Sequence, residues 1–131
     1  MKYYYLLIVV CFLNPLLYSQ IKQNTDSISY YNKLANKKLN SKEYNEAVLL
    51  TKKSIDFCET NHIPEDLGNQ TFKLGKIYYN QRKYNEALKN FHKSVASFDS
   101  IKPTCTKILA LHYIGAANTA QGDYKTADIY Y

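Results

Sequence analysis

The chain repeats itself every 40 residues, and that period decides what it can fold into. Tyr44-Asn45-Glu46-Ala47 returns as Tyr84-Asn85-Glu86-Ala87, and a worn copy, Tyr124-Lys125-Thr126-Ala127, follows at the same interval. Upstream of each copy, at one fixed distance, lie Leu34-Ala35, Leu74-Gly75 and Ile114-Gly115. Residues 34–54 and 74–94 share eight identities over 21 positions, where ordinary composition gives about one or two. Residues 74–91 and 114–131 share four over 18 in the same register. A period of this size builds stacked supersecondary units in which each repeat buries its apolar face only against its neighbours.

The spacing within a repeat predicts a pair of helices. Thr71, Leu74, Gly75 and Tyr78 fall at i, i+3, i+4 and i+7, one stripe of a helix. A polar turn follows at Gln81-Arg82-Lys83. Tyr84, Ala87, Leu88, Phe91, Val95 and Phe98 then mark the buried stripe of a second helix, with Gly75 and Ala87 small where the two helices cross. The first copy supplies Tyr31, Leu34, Ala35, Tyr44, Ala47, Val48 and Ile55; the third supplies Leu111, Ile114, Gly115, Tyr124, Ala127 and Tyr131. No segment alternates as a strand would. Pro64 and Pro103 are placed to open helices, and Asp26, Asn61 and Thr104 to cap them. The expected fold is all-α, with helix pairs near 26–61, 64–100 and 104–131.

These motifs resemble the tetratricopeptide repeat family. The second copy carries Leu74-Gly75-x-x-Tyr78 and, at the expected distance, Ala87-x-x-x-Phe91. The resemblance covers about 28–131 and implies a right-handed helical-hairpin solenoid of about two and a half repeats. Departures are visible. Lys38 and Asn118 stand where Tyr78 stands, and Glu59 and Asp99 replace a closing proline. The period is 40 rather than the family's usual 34, which is similar to long-helix bacterial variants and implies a longer second helix or connection.

The N-terminus is a separate object. Lys2 precedes an apolar run over Tyr3–Leu17, broken only by Asn14-Pro15, and Tyr18-Ser19-Gln20 returns to polar sequence. That layout is a secretory signal peptide over 1–19, with a mature domain of residues 20–131. The run is short for a spanning helix, which needs about 20 apolar residues. The alternative is a retained membrane anchor over residues 3–18. The aromatic-rich run followed by Gln20 resembles exported bacterial proteins, so the expected location is periplasmic or secreted. The third pair ends within a helix pattern at Ile129-Tyr130-Tyr131, with no stop signal. This reads as a fragment of a longer array; a complete small domain that frays or self-associates there is the alternative. On either reading Ile114, Tyr124 and Tyr131 are expected to lack a covering helix.

Chemistry is sparse. His62, His92 and His112 share no metal-ligand spacing, and there is no Gly-rich phosphate loop or nucleophile motif. No catalytic residue, metal or cofactor is therefore expected. Glu46 and Glu86 fall in first turns, where a helix dipole favours a carboxylate. Cys58 and Cys105 belong to helices separated by an intervening pair, too far apart for a disulfide, and are expected as half-buried thiols. The net charge of +6 is spread along the chain, and Arg82 is the only arginine, which argues against nucleic acid.

What remains is a groove. In the family, the first helices of successive pairs line a concave surface that takes peptides. The stripe opposite the packing face holds Ser29, Asn32, Asn36, Leu39 and Asn40 in the first copy, and Asn69, Phe72, Lys76, Tyr79 and Asn80 in the second. The third adds Leu109, His112, Ala116 and Thr119. Amides can pair with a peptide backbone, and the rings supply contact area. Asn32 stands where the family's carboxylate clamp has a lysine, so a chaperone-type clamp is not expected. Two functions fit: an exported scaffold binding a protein or peptide, or the extracytoplasmic sensory part of a longer signalling protein.

Overall fold

A computed structural model describes residues 26–99 and 104–131, with positions 15, 19 and 23 besides. The signal segment 1–19 and its anchor alternative lie outside these residues save for positions 15 and 19, and Pro103 lies outside them as well. Residues 26–40 are helical (α1), followed by α2 (Tyr44–Thr60), α3 (Pro64–Asn80), α4 (Tyr84–Ser97), α5 (Cys105–Gln121) and a short α6 (Tyr124–Ala127). There is no strand among the described residues. Each helix from α2 onward packs on the next, and α3 also touches α5, so first helices stack along one side of the array. This is a helical-hairpin solenoid. Among the described residues no helix is long and apolar enough to cross a membrane.

The turns explain the regular pacing. Four of them close with the same bond, five residues back: Glu43 N–H to Lys38 O, Ile63 to Cys58, Lys83 to Tyr78 and Asp123 to Asn118, each 2.9 Å. The residue before each donor has positive φ: Lys42 (59°), His62 (53°), Arg82 (59°) and Gly122 (82°). This is the Schellman stop, in which a left-handed residue reverses the chain and satisfies the last carbonyls. It recurs within repeats and between the first and second, so the 40 residues divide into helix–turn units of similar length. α2 and α3 have 17 residues each and α4 has 14, with a longer connection from Ser97 to Cys105.

The expected caps divide. Thr104 caps α5, its hydroxyl accepting from Lys107 N–H at 3.2 Å, and Pro64 opens α3 in its first turn. Asn61 instead closes α2, donating its side-chain amide to Phe57 O at 2.8 Å, and Asp26 is already helical. Asn61 sits in a reversal with no residue to spare for a separate start.

The core lies between α3, α4 and α5. Ala87, Phe91 and Ile114 are fully buried, with Phe72, Tyr78, Tyr79, Leu88, Val95 and Tyr113 packed around them. Leu34, Ala35, Ala47, Leu74, Gly75 and Ala127 are buried or half-buried as their spacing predicts. A Cβ on Gly75 would lie 2.6 Å from two Phe91 ring carbons, so the ring occupies the space the glycine leaves. One turn pair away Gly68 faces Phe98 in the same way, as an antiparallel hairpin requires, and Gly115 faces Tyr131, one period after Gly75 and Phe91.

Three expected core positions are on the surface, Tyr131 at 68% among them. Tyr44 is 38% exposed and Tyr124 65%, whereas Tyr84 is half-buried. Each opens a second helix, and the residue five before it decides its shelter. Tyr84 meets Tyr79 edge-on at 5.5 Å; the equivalent residues are Leu39 before Tyr44 and Thr119 before Tyr124. Ile114 corrects the expected open end. It is fully buried against Ala87 and Phe91 of the preceding pair. Tyr124 and Tyr131 do stand exposed, at 65% and 68%, with Ile129 at 77% and Ile108 at 63%. Three of the four departures from the family pattern form ion pairs, and the fourth, Asn118, donates its side-chain amide to Ile114 O at 2.9 Å. Lys38 bonds Glu43 at 2.7 Å and Glu46 at 2.5 Å, Glu59 pairs with Lys93, and Asp99 with Lys107 at 2.9 Å.

Candidate functional site

The first helices place the groove candidates on one side, and the structure sorts them into three groups. Asn36, Phe72, Lys76 and Asn80 line one cleft of about 500 Å³ between α1 and α3, together with Leu39, Tyr44, Lys73 and Ile77. Asn36, Lys76 and Asn80 are exposed and available to a ligand. Asn40 is exposed beyond this cleft and lines a hollow on the outer face of α1 instead.

Phe72 and Tyr79 belong to an aromatic shelf that continues the cleft toward α5. Tyr113 is its centre, with ring centroids 5.7 Å from Phe72, 5.4 Å from Tyr79 and 5.3 Å from Phe91. The edge-to-face arrangement at Phe72 and Tyr79 is the one the ring quadrupoles favour. The Lys76 ammonium lies 5.7 Å from the Phe72 centroid and 5.9 Å from that of Tyr113, a cation held over two ring faces. His112 is exposed at the far end, edge-on to Tyr113 at 6.2 Å and Tyr131 at 5.5 Å. Burial, with Tyr84, Tyr113 and Tyr131 nearby, raises the Tyr79 hydroxyl pKa above its ordinary value, so it stays a neutral donor.

Asn32 and Asn69 are already engaged. Lys73 Nζ donates to Asn32 Oδ1 at 3.1 Å and to its carbonyl at 3.4 Å, tying α3 to α1. Thr106 Oγ1 donates to Asn69 Oδ1 at 2.8 Å, tying α5 to α3. These two asparagines fix the spacing of the groove walls. Their side-chain oxygens have protein partners and contribute less to a ligand.

Tyr113 and Lys73 were absent from the stripe read off the sequence. They occupy the same repeat position, 40 residues apart, each one residue past a groove candidate. A residue turns a helix by about 100°, and a groove walled by two helices admits a face wider than one stripe. The repeat register could have found them: the position after Phe72 and His112 recurs beside the groove.

Among the described residues no group of three His, Cys, Asp or Glu side chains could hold a metal ion. Cys58 is buried and Cys105 exposed, rather than both half-buried, and neither is bridged. Burial first, then Asp66 and Glu59, pushes the Cys58 thiol up to about 12, so it stays protonated near neutral pH and is no nucleophile.

Residues 73–97 match the sequence model of a tetratricopeptide repeat. The whole arrangement is similar to the tetratricopeptide domain of FLU from Arabidopsis, with a TM-score of 0.75 and 19% identity over 82% of this chain and 91% of that one. It is also similar to the N-terminal domain of stress-induced protein-1 from C. elegans, with a TM-score of 0.72 and 18% identity over 82% of this chain and 80% of that one. No curated protein matches in sequence. The segment from Lys73 to Ser97 matches a tetratricopeptide repeat, and the described chain around it has the fold of tetratricopeptide domains.

Proposed function

We propose that this protein is an exported, non-catalytic scaffold that holds a protein or peptide in the groove formed by α1, α3 and α5. The observation that carries the reading is the union of one open cleft with one aromatic shelf on the first-helix side. Exposed amides at Asn36 and Asn80 adjoin ring faces at Phe72, Tyr79 and Tyr113. Pockets that take peptides pair apolar area with a few placed polar groups in this way. The shared fold supports a binding role, since stacked repeats form extended concave surfaces.

Affinity capture tests the groove. Partners retained by the parent chain are expected to be lost on Asn80→Trp, which fills the cleft without adding charge, and kept on Lys53→Asp, an exposed change on α2. Equal retention by both variants refutes the groove. Export is tested separately by N-terminal mass spectrometry of the protein from its source cells. Gln20 as first residue supports removal of 1–19; an intact Met1 in the membrane fraction supports the anchor.

A further inference from the structure

We infer that the groove is made for an acidic partner: an extended peptide carrying an aspartate or glutamate beside an aromatic or aliphatic side chain. The inference rests on the groove being the binding surface, and it names the chemistry of what enters.

The placement of carboxylates carries it first. The chain has 11 aspartates and glutamates, yet none in 27–42, 67–85 or 100–122. Those stretches contain nearly all of the described α1, the groove-lining part of α3 and the whole of α5. The carboxylates instead occupy helix starts, turns and second helices, where Glu43, Glu46, Glu59 and Asp99 are held in ion pairs. The first-helix side of the array is thus cleared of negative charge while the other side is mixed.

Two ammonium groups then stand on that cleared side without a counterion. Lys73 and Lys76 both line the α1–α3 cleft. Lys73 Nζ bonds only neutral oxygens of Asn32, and burial alone lowers its pKa, the mark of a cation set down without a carboxylate. Lys76 meets ring faces and no carboxylate. A ligand carboxylate entering the cleft can pair with the exposed Lys76, while Lys73, bonded to Asn32, adds positive potential from the same wall. The shelf of Phe72, Tyr79 and Tyr113 begins at the same lysine, so an apolar side chain next to the acidic one has a place to rest. Asn36 and Asn80 can pair with the peptide backbone between them.

A phosphate polymer would satisfy the lysines too, but it asks for a track of cations matched to successive phosphates. The cleft offers two lysines and no arginine. A peptide is the better fit to one cationic point beside one apolar shelf.

The test pans a library of random linear peptides on the purified chain and measures the selected peptides by fluorescence anisotropy. The expected sequences place Asp or Glu beside an aromatic or aliphatic residue. Their affinity is expected to fall by at least about tenfold on Lys76→Glu, to weaken on Lys73→Met, and to hold on Lys89→Glu, the same charge change on an exposed position of α4. Circular dichroism confirms that each variant keeps its helices. Selected peptides without carboxylates, lost on Phe72→Leu but not on Lys76→Glu, overturn the charge inference and leave the groove standing. Peptides indifferent to both substitutions, or no selection at all, overturn the groove and the inference together. Tighter Lys76-dependent binding of a single-stranded oligonucleotide or of anionic lipid vesicles also overturns it.

Discussion

Gly75→Ala is the substitution whose outcome the packing decides most sharply. On helix propensity alone alanine gains about 1 kcal/mol over glycine in a helix interior. The structure opposes that gain. The new Cβ would lie 2.6 Å from Phe91 Cδ1 and Cε1 and 3.2 Å from Cγ. Carbon atoms rest about 3.5–4.0 Å apart, so the ring must retreat by roughly 1 Å. It has little room: Phe91 is fully buried, touches Ala87 and Ile114, and stacks 5.3 Å from Tyr113 and 5.8 Å from Phe72. Overpacking of this kind costs about 1–3 kcal/mol, so the net expectation is a loss of about 1 kcal/mol. Gly75→Leu is expected at the upper end of that range or beyond. On a Phe91→Leu background the clash is relieved, and Gly75→Ala is expected to stabilise by up to about 1 kcal/mol, a coupling of about 2 kcal/mol. Urea unfolding followed by far-UV circular dichroism reads both arms of the cycle, with unchanged slope as the check that only stability moved. If Gly75→Ala raises the midpoint in the parent chain, or the two changes add without coupling, the contact between α3 and α4 is not the one described.

Four further outcomes follow from particular contacts. Arg82→Gly relieves a left-handed arginine and is expected to stabilise by about 0.5–1 kcal/mol, while Gly122→Ala, with open space but φ of 82°, is expected to cost about 1 kcal/mol; thermal melts compare them. Ser94→Ala removes a 2.7 Å bond to Gly68 O and is expected to cost about 1–2 kcal/mol, whereas Ser54→Ala, one period earlier and with no partner for its hydroxyl among the described residues, is expected to be neutral or stabilising. A thiol reagent with peptide mapping is expected to label Cys105 in the native chain and Cys58 only on unfolding. Because the folded chain keeps the Cys58 proton to about 12 and the unfolded chain releases it near 9, stability is expected to fall as pH rises through that window, less so in Cys58→Ala.

The sequence revealed the fold wherever a residue's neighbours lie within its own repeat. Leu74, Gly75, Ala87 and Phe91 could be placed because the 3.6-residue period and the 40-residue period agree on them. Tyr44 and Tyr124 misled because their shelter depends on the residue across a turn, and the repeat motif does not record that Leu39 and Thr119 replace Tyr79. Ile114 misled because its cover comes from the preceding pair, not the following one. The groove was legible as a face. Its division was not: the ties at Asn32 and Asn69 are made by residues 41 and 37 positions away, and no local pattern announces them. The turns at Lys42, His62 and Arg82 carried no glycine to signal a left-handed residue.

Whether the first-helix side is the working surface is best read by site-specific photocrosslinking in the cells that make the protein. A benzophenone amino acid placed at 36, 76 or 80 stands in the groove, and one placed at 53 or 89 stands exposed on a second helix. Covalent adducts to one discrete partner from the three groove positions, and none from the other two, are the expected result. Adducts from 53 and 89 with a silent groove would contradict it and move the binding surface to the opposite side of the array.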